Sequence, residues 1–320
     1  MNPEQVVLVG GSGFLGAALA NRLCATGVAV TVPTRRRARA GHLLLLPNVT
    51  VVEVDVRSPG VLEGLFTGAD AVVNLVGVLH SRPGTPWGPG FEEAHVALPK
   101  RIVAACEKAG VGRLVHVSAL GADAAGPSEY LRSKAAGEEA VRAAHLSWTI
   151  LRPSVVFGRG DRFLNLFATL ARRFPLLPLA CADARFQPVW VEDVAEAAWR
   201  SLRESAAAGQ ACELAGPRVY TLRELVAYAA EVGGRPRRIV ALPNALATLQ
   251  AALMELAPEP LMSRDNLRSM RVDSVASGAP LPFGLTPTPL EAVAPGWLGD
   301  GGASRRYDDF RRGARRGGVR

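Results

Sequence analysis

The sequence predicts an α/β fold: a doubly wound parallel sheet with a smaller C-terminal α/β portion. Three observations carry the prediction. Short β-branched runs alternate with helical stretches through the first half of the 320-residue chain. The runs are apolar throughout rather than at every second position, the pattern of strands covered on both faces. A glycine-rich turn separates the first run from the first helix, as in nucleotide-binding sheets.

Val6–Val9 is the first strand, and the helix after it runs from about Phe14 to Thr26, where Gly27 ends it. Val28–Val32, Val49–Val54, Ala71–Leu75, Leu114–Ser118 and Thr149–Leu151 continue the series of strands. Pro83, Pro86 and Pro89 interrupt the pattern between Ser81 and Gly90. Beyond 154 prolines multiply and the rhythm changes. This divides the chain into a nucleotide-binding domain over 1–153 and a smaller substrate or partner portion over 154–186 and 216–300. Residues 187–215 return to the sheet. The five prolines of 278–300 predict an extended strap across a surface, and 303–320 has a disordered composition.

Charge narrows the function classes. The chain holds 37 Lys and Arg against 29 Asp and Glu, a net +8, which invites a nucleic-acid reading. Seven arginines against Asp308 and Asp309 put +5 of that in residues 303–320. The remaining body, at +3, is smaller than the contribution of Arg35, Arg36, Arg37 and Arg39 alone, so no nucleic-acid partner is expected. Cys24, Cys106, Cys181 and Cys212 form no CxxC pair, and the five histidines lack metal-ligand spacing, so neither a disulfide scaffold nor a metal is expected. The start has no cationic n-region, and no long uncharged apolar run is present. These features point to a cytoplasmic protein, with peripheral attachment to the inner face of the cytoplasmic membrane left open.

The turn Gly10-Gly11-Ser12-Gly13-Phe14-Leu15-Gly16 has the spacing Gly-x-x-Gly-x-x-Gly. Glycine at these points permits a tight turn, close approach of backbone to a pyrophosphate, and close helix–sheet packing. The amides of Ser12, Phe14 and Leu15 lie at the helix N-terminus, which favours an anion. The second strand leads into Thr34-Arg35-Arg36-Arg37, with no acid to accept from a ribose 2′-hydroxyl. Arg35 and Arg36 instead suit a 2′-phosphate, favouring NADP(H) over NAD(H), although a solvated basic loop is the plainer alternative. Asp55 and Val56, after the third strand, suit the adenine, and an ordinary turn aspartate fits equally. Asn74 and Gly77, ending the fourth strand, would let a cofactor lie against backbone.

Ser118 ends the fifth strand, and Tyr130 and Lys134 stand four residues apart, on one face of the following helix. A nearby ammonium lowers a phenol's pKa, which makes Tyr130 a candidate general acid or base with Ser118 orienting a carbonyl. This combination resembles the short-chain dehydrogenase/reductase (SDR) superfamily. Leu151-Arg152-Pro153 is similar to the extended and atypical branches, where the proline region lies near the nicotinamide. A narrower resemblance rests on Val32–Arg36, Val73–His80, Tyr130–Glu138, Phe157–Asn165, Gln187–Val194 and Ser263–Asn266. It is to the nucleotide-binding accessory subunit of respiratory complex I and its bacterial relatives, and it spans about residues 5–298. That family implies an NADPH-holding atypical SDR subunit, accessory and structural or redox-sensing, associated with respiratory complex I or a quinone system; a module that reads the NADP/NADPH ratio for a partner is a further reading. An active NADP-dependent reductase or epimerase using Ser118, Tyr130 and Lys134 is the alternative. Val9 stands where extended SDRs usually carry threonine.

Four further features have two readings each. Asp161 and Arg162 brace a loop or act in catalysis. Asp193 caps a helix beginning near Val194 or touches substrate. Asn244–Ala257, charged only at Glu255, is a packed helix or one that meets a partner or membrane surface. Trp87 caps a loop or anchors a partner.

Overall fold

The computed structural model describes residues 3–257 and 260–299, so the arginine-rich 303–320 lies outside the described residues. β1 (Gln5–Val9) feeds α1 (Phe14–Cys24), followed by β2 (Ala29–Thr34), β3 (Val49–Glu53), α2 (Val61–Phe66) and β4 (Ala71–Asn74). A one-turn α3 (Pro89–Phe91) opens through a π-helical turn, Glu92–Ala97, into α4 (Leu98–Ala109). β5 (Arg113–Val117), α5 (Glu129–Arg142) and β6 (Ser147–Pro153) complete the repeating part. β7 (Val156–Phe157), α6 (Leu164–Arg173), β8 (Leu176–Leu179), β9 (Arg185–Phe186), β10 (Val189–Trp190), α7 (Val191–Arg203) and β11 (Gln210–Leu214) follow. The remainder is β12 (Tyr220–Thr221), α8 (Leu222–Val232), β13 (Arg238–Ala241), α9 (Asn244–Met254), α10 (Arg264–Ser269), α11 (Leu290–Val293) and α12 (Pro295–Leu298).

Seven strands form one sheet in the order β11-β6-β5-β4-β1-β2-β3, and every neighbouring pair is parallel. The continuous apolar runs have their cause here, because helices cover both faces. Leu8, Leu19, Leu23, Val32 and Val194 join one core layer, between the sheet and α1 and α7. Val7, Phe66, Ile102, Leu114 and Ile150 join the other, beneath α2 and α4. The order of connections reverses between β1 and β4, leaving a crevice at the strands' carboxyl ends.

Beyond β6 the chain builds two smaller cores. Phe157, Leu164, Tyr220, Leu225, Leu290 and Leu298 fill one, so the proline-rich segment is not wholly extended: α11 and α12 pack into it. Leu177, Leu179, Leu222 and Val226 fill the other. β11 rejoins the sheet beside β6, with Cys212 opposite Leu151. Asp193 does not cap α7, which begins at Val191. Its carboxylate accepts from the Thr288 N–H at 2.7 Å and hydroxyl at 2.9 Å, tying helix to strap. The Asp161 carboxylate braces its loop by accepting from the backbone N–H groups of Gly158, Phe163 and Asn165. The Trp87 indole donates to Glu92.

Candidate nucleotide and catalytic site

The glycine turn lies at the crevice. Gly10 has φ +87°, and a Cβ on it would also meet Val76 backbone and side chain at 3.0 Å. Gly16 permits helix–turn contact, since a Cβ there would lie 2.4 Å from the Gly11 carbonyl oxygen. The first intrahelical bond is Ala17 N–H to Gly13 O at 2.9 Å, so the amides of Phe14, Leu15 and Gly16 precede the helical ladder. Gly13 is exposed, and Ser12, Phe14 and Leu15 are half-buried at the rim. An anion-accepting helix N-terminus is the chemistry this permits.

Arg35 and Arg36 are exposed directly after β2, while Thr34 is buried. The Glu53 carboxylate accepts from the Arg37 N–H at 2.8 Å, and the Arg37 guanidinium donates to Val51 O at 3.2 Å, which engages Arg37 with β3. Asp55 accepts from both the backbone and the guanidinium of Arg57, which holds its carboxyl down at about 2, with Arg35 adding to the effect. Asp55 is thus a local turn brace, with half-buried Val56 beside it.

The candidate residues Ser118, Tyr130 and Lys134 come from the end of β5 and from α5. Ser118 follows β5 directly, and its N–H donates to Leu151 O at 2.7 Å. Its hydroxyl is buried with no partner among the described residues, as expected where a ligand supplies one. Ser128 caps α5 by accepting from Leu131 N–H, so Tyr130 and Lys134 occupy the first two turns. The Lys134 ammonium is buried, donates to Val117 O at 3.2 Å, and would lie 3.3 Å from a Cβ at Gly77. Burial pushes its pKa down to about 8. The expectation that this ammonium lowers the Tyr130 phenol is reversed: burial dominates and pushes the phenol up to about 12. Tyr130 therefore holds its proton at neutral pH and suits the role of acid. Pro153 is buried at the end of β6, its carbonyl accepting from Leu120 N–H at 3.0 Å.

These residues fit a dinucleotide: glycines without Cβ line the turn, amides precede the ladder, the Lys134 ammonium is buried against Val117 O, and the buried Ser118 hydroxyl has no partner among the described residues. A family model for NAD(P)H-binding proteins matches residues 10–160. Over 293 residues the chain is 34% identical to the mouse (Mus musculus) mitochondrial NADH dehydrogenase (ubiquinone) 1 alpha subcomplex subunit 9, covering 88% of this chain and 76% of that protein. The chain belongs to that family, an atypical SDR group. It is also 32% identical to the ceramide reductase of Caulobacter vibrioides, over 92% of this chain and 96% of that protein. Among solved structures, a dTDP-glucose 4,6-dehydratase variant from Streptomyces venezuelae, with NAD bound, has a TM-score of 0.64 at 25% identity, covering 83% of this chain and 95% of that one.

This SDR site has supports that sequence reasoning missed. His95, in the π-helical turn, is buried between Phe91 and Tyr130, with ring centroids 5.4 and 5.5 Å away. Its Nε2 accepts from Val78 N–H at 3.1 Å, which puts the ring proton on Nδ1, where it donates to Ser133 Oγ at 2.9 Å. The Ser133 hydroxyl in turn donates to Tyr130 O at 2.8 Å. One neutral ring thus ties the backbone after Gly77 to the helix of Tyr130. Gly137 makes this approach possible, since a Cβ on it would lie 2.2 Å from His95 O. Asn74 Nδ2 donates to His116 Nδ1 at 3.0 Å, the two residues facing each other across β4 and β5. Burial and the charge of Lys134 push the pKa of His95 to about 2 and that of His116 to about 3.

The Ser263–Asn266 segment also gains a purpose. The Asp265 carboxylate accepts from the first-turn N–H groups of Glu129 and Tyr130 at 2.8 and 3.0 Å, capping α5 from far along the chain. Asn266 Nδ2 donates to Leu79 O at 3.2 Å. Glu138, buried on α5, accepts two bonds from the Arg152 guanidinium at 2.8 and 2.5 Å, fixing α5 against β6. The spacing Asp-x-x-x with a distant helix gives no local signal, so only the fold exposes such a cap.

Proposed function

We propose that this chain is an NADP(H)-holding subunit associated with a respiratory NADH–quinone system, working at the inner surface of the cytoplasmic membrane. The observation that carries the reading is the long, well-covered similarity to the complex I 1 alpha subcomplex subunit 9. Within this chain the Asp265 carboxylate of the Ser263–Asn266 segment holds the helix of Tyr130. The glycine turn would take the pyrophosphate, Arg35 and Arg36 the 2′-phosphate, and Lys134 the nicotinamide ribose. Asn74, Gly77 and Pro153 would line the nicotinamide end.

A specific observation favours a second reading, an active reductase. The Ser118 hydroxyl is buried without a partner among the described residues, and Tyr130 on the following helix keeps its proton, an arrangement that a purely structural site does not need. The ceramide reductase similarity extends over nearly the whole of both chains. In this reading Ser118 donates a hydrogen bond to a carbonyl oxygen and Tyr130 delivers its proton there, while the Lys134 charge favours the tyrosinate left behind. Bound NADPH supplies the hydride.

Purification from a native membrane extract separates the two. Co-purification with respiratory-complex subunits, bound NADP(H) and no turnover supports the first. A partner-free chain that oxidises NADPH with a ketone or aldehyde, and loses at least roughly a hundredfold in kcat in Tyr130→Phe, overturns it in favour of the second.

A further inference from the structure

Helix α9 is built inside out. Residues 239–254 carry no charge, yet the helix buries its small Ala247 and Ala251 and turns its leucines outward. Leu246, Leu249 and Leu253 are 52, 56 and 61% exposed, and Leu256, just past the helix, is 82% exposed. At 100° per residue the four fall within an arc of about 80°. A helix that merely packs on its own protein puts its large side chains inward.

The apolar surface extends toward the site's mouth. Leu261 and Leu79 are also exposed, and Asn266 Nδ2 holds Leu79 O at 3.2 Å, beside α10. Helix α10 packs against α9 through the Glu255–Arg264 pair at 2.9 Å, and its Asp265 caps the helix of Tyr130. The leucine face and the helix of Tyr130 are thus joined through α10.

Charge decides what covers this face. Residues 235–271 contain six arginines (235, 237, 238, 264, 268 and 271) against Glu255, Glu259 and Asp265. Arg264 pairs with Glu255, and Arg268 lies 3.8 Å from both Glu129 and Asp265, so Arg235, Arg237, Arg238 and Arg271 are the flanking cations. An exposed leucine stripe flanked by cationic elements suits the boundary between acyl chains and anionic headgroups.

We propose that α9, with Leu79 and Leu261, docks on an anionic lipid bilayer, its leucines entering the acyl boundary and the flanking arginines meeting headgroup phosphates. The proposal rests on the reading above for its purpose, since it names the lipid surface as the partner that brings the site's mouth to the membrane. Its physics does not depend on bound nucleotide.

The test is flotation of the full chain with vesicles of phosphatidylcholine containing roughly one-third phosphatidylglycerol, against pure phosphatidylcholine. Binding to the anionic vesicles that weakens in high salt, and that falls about tenfold or more in Leu249→Ser/Leu253→Ser, is expected. Both positions are exposed, so thermal unfolding and NADPH affinity should be unchanged in the variant. Equal vesicle binding by variant and parent overturns the proposal. So does binding that disappears on deleting 303–320 alone. So does a parent that ignores vesicles but dimerises, or binds a protein, through these leucines. Loss of NADPH binding with flotation intact would sink the proposed function and leave the docking face standing.

Discussion

Lowering the pH from 7.5 to 5.0 should cost this protein much of its stability, through two rings. His95 and His116 are buried and neutral; burial first, and the nearby Lys134 charge second, hold their pKa values at about 2 and 3. In the unfolded chain each takes up a proton near pH 6.5. Folded-state values lie below unfolded ones, so the unfolded chain binds more protons below pH 6.5, and stability falls as pH falls. At pH 5.0 each ring contributes a loss of about 2 kcal/mol, and the pair about 4 kcal/mol, against almost nothing at pH 7.5. The sum does not depend on the folded values as long as both stay well below 5. His80, also lowered by burial, adds in the same direction. A loss of about 4 kcal/mol is large beside the 5–15 kcal/mol typical of a folded domain. Urea unfolding at the two pH values reads it directly, and His116→Gln should remove roughly half of the pH dependence. A change below about 1 kcal/mol between pH 7.5 and 5.0, or an unaltered dependence in His116→Gln, would refute the reasoning.

Two further predictions concern the supports of α5. Asp265→Ala should destabilise by about 1–3 kcal/mol, since two first-turn N–H groups lose their acceptor, and Asp265→Asn by less, because one acceptor remains. Equilibrium unfolding measures both. Gly137→Ala should cost about 2–3 kcal/mol and weaken NADPH binding, because its Cβ would meet His95 O and pull α5 from the π-helical turn. Gly64→Ala, in α2 with nothing within 4 Å of its Cβ, should instead stabilise by about 0.5–1 kcal/mol.

The sheet was legible because its signal is local. β1 through β6 are continuous apolar runs, and turns such as Gly27, at φ +82°, mark their ends. The Gly10–Gly16 turn and the Tyr130/Lys134 pair are likewise short-range patterns that place themselves once strand and helix are assigned. What escaped is long-range. Nothing near Asp265 in the sequence says that it caps a helix beginning at Glu129, and nothing near His95 says that α5 closes on it at Gly137. The Tyr130 phenol was misjudged for a related reason: helical spacing shows the nearby ammonium, while the burial that outweighs it appears only in the packed site. The outward leucines of α9 belong to the same class, since apolar sequence alone does not say which face is covered.

The central claim, that the crevice is built for NADP(H), is tested most directly by titrating the full chain with NADPH and NADH by calorimetry, alongside Arg35→Ala/Arg36→Ala. The account predicts NADPH binding at least about tenfold tighter than NADH, with that preference lost in the double variant and NADH affinity unchanged. NADH binding as tightly as NADPH, or an undiminished NADPH preference in the double variant, would contradict it.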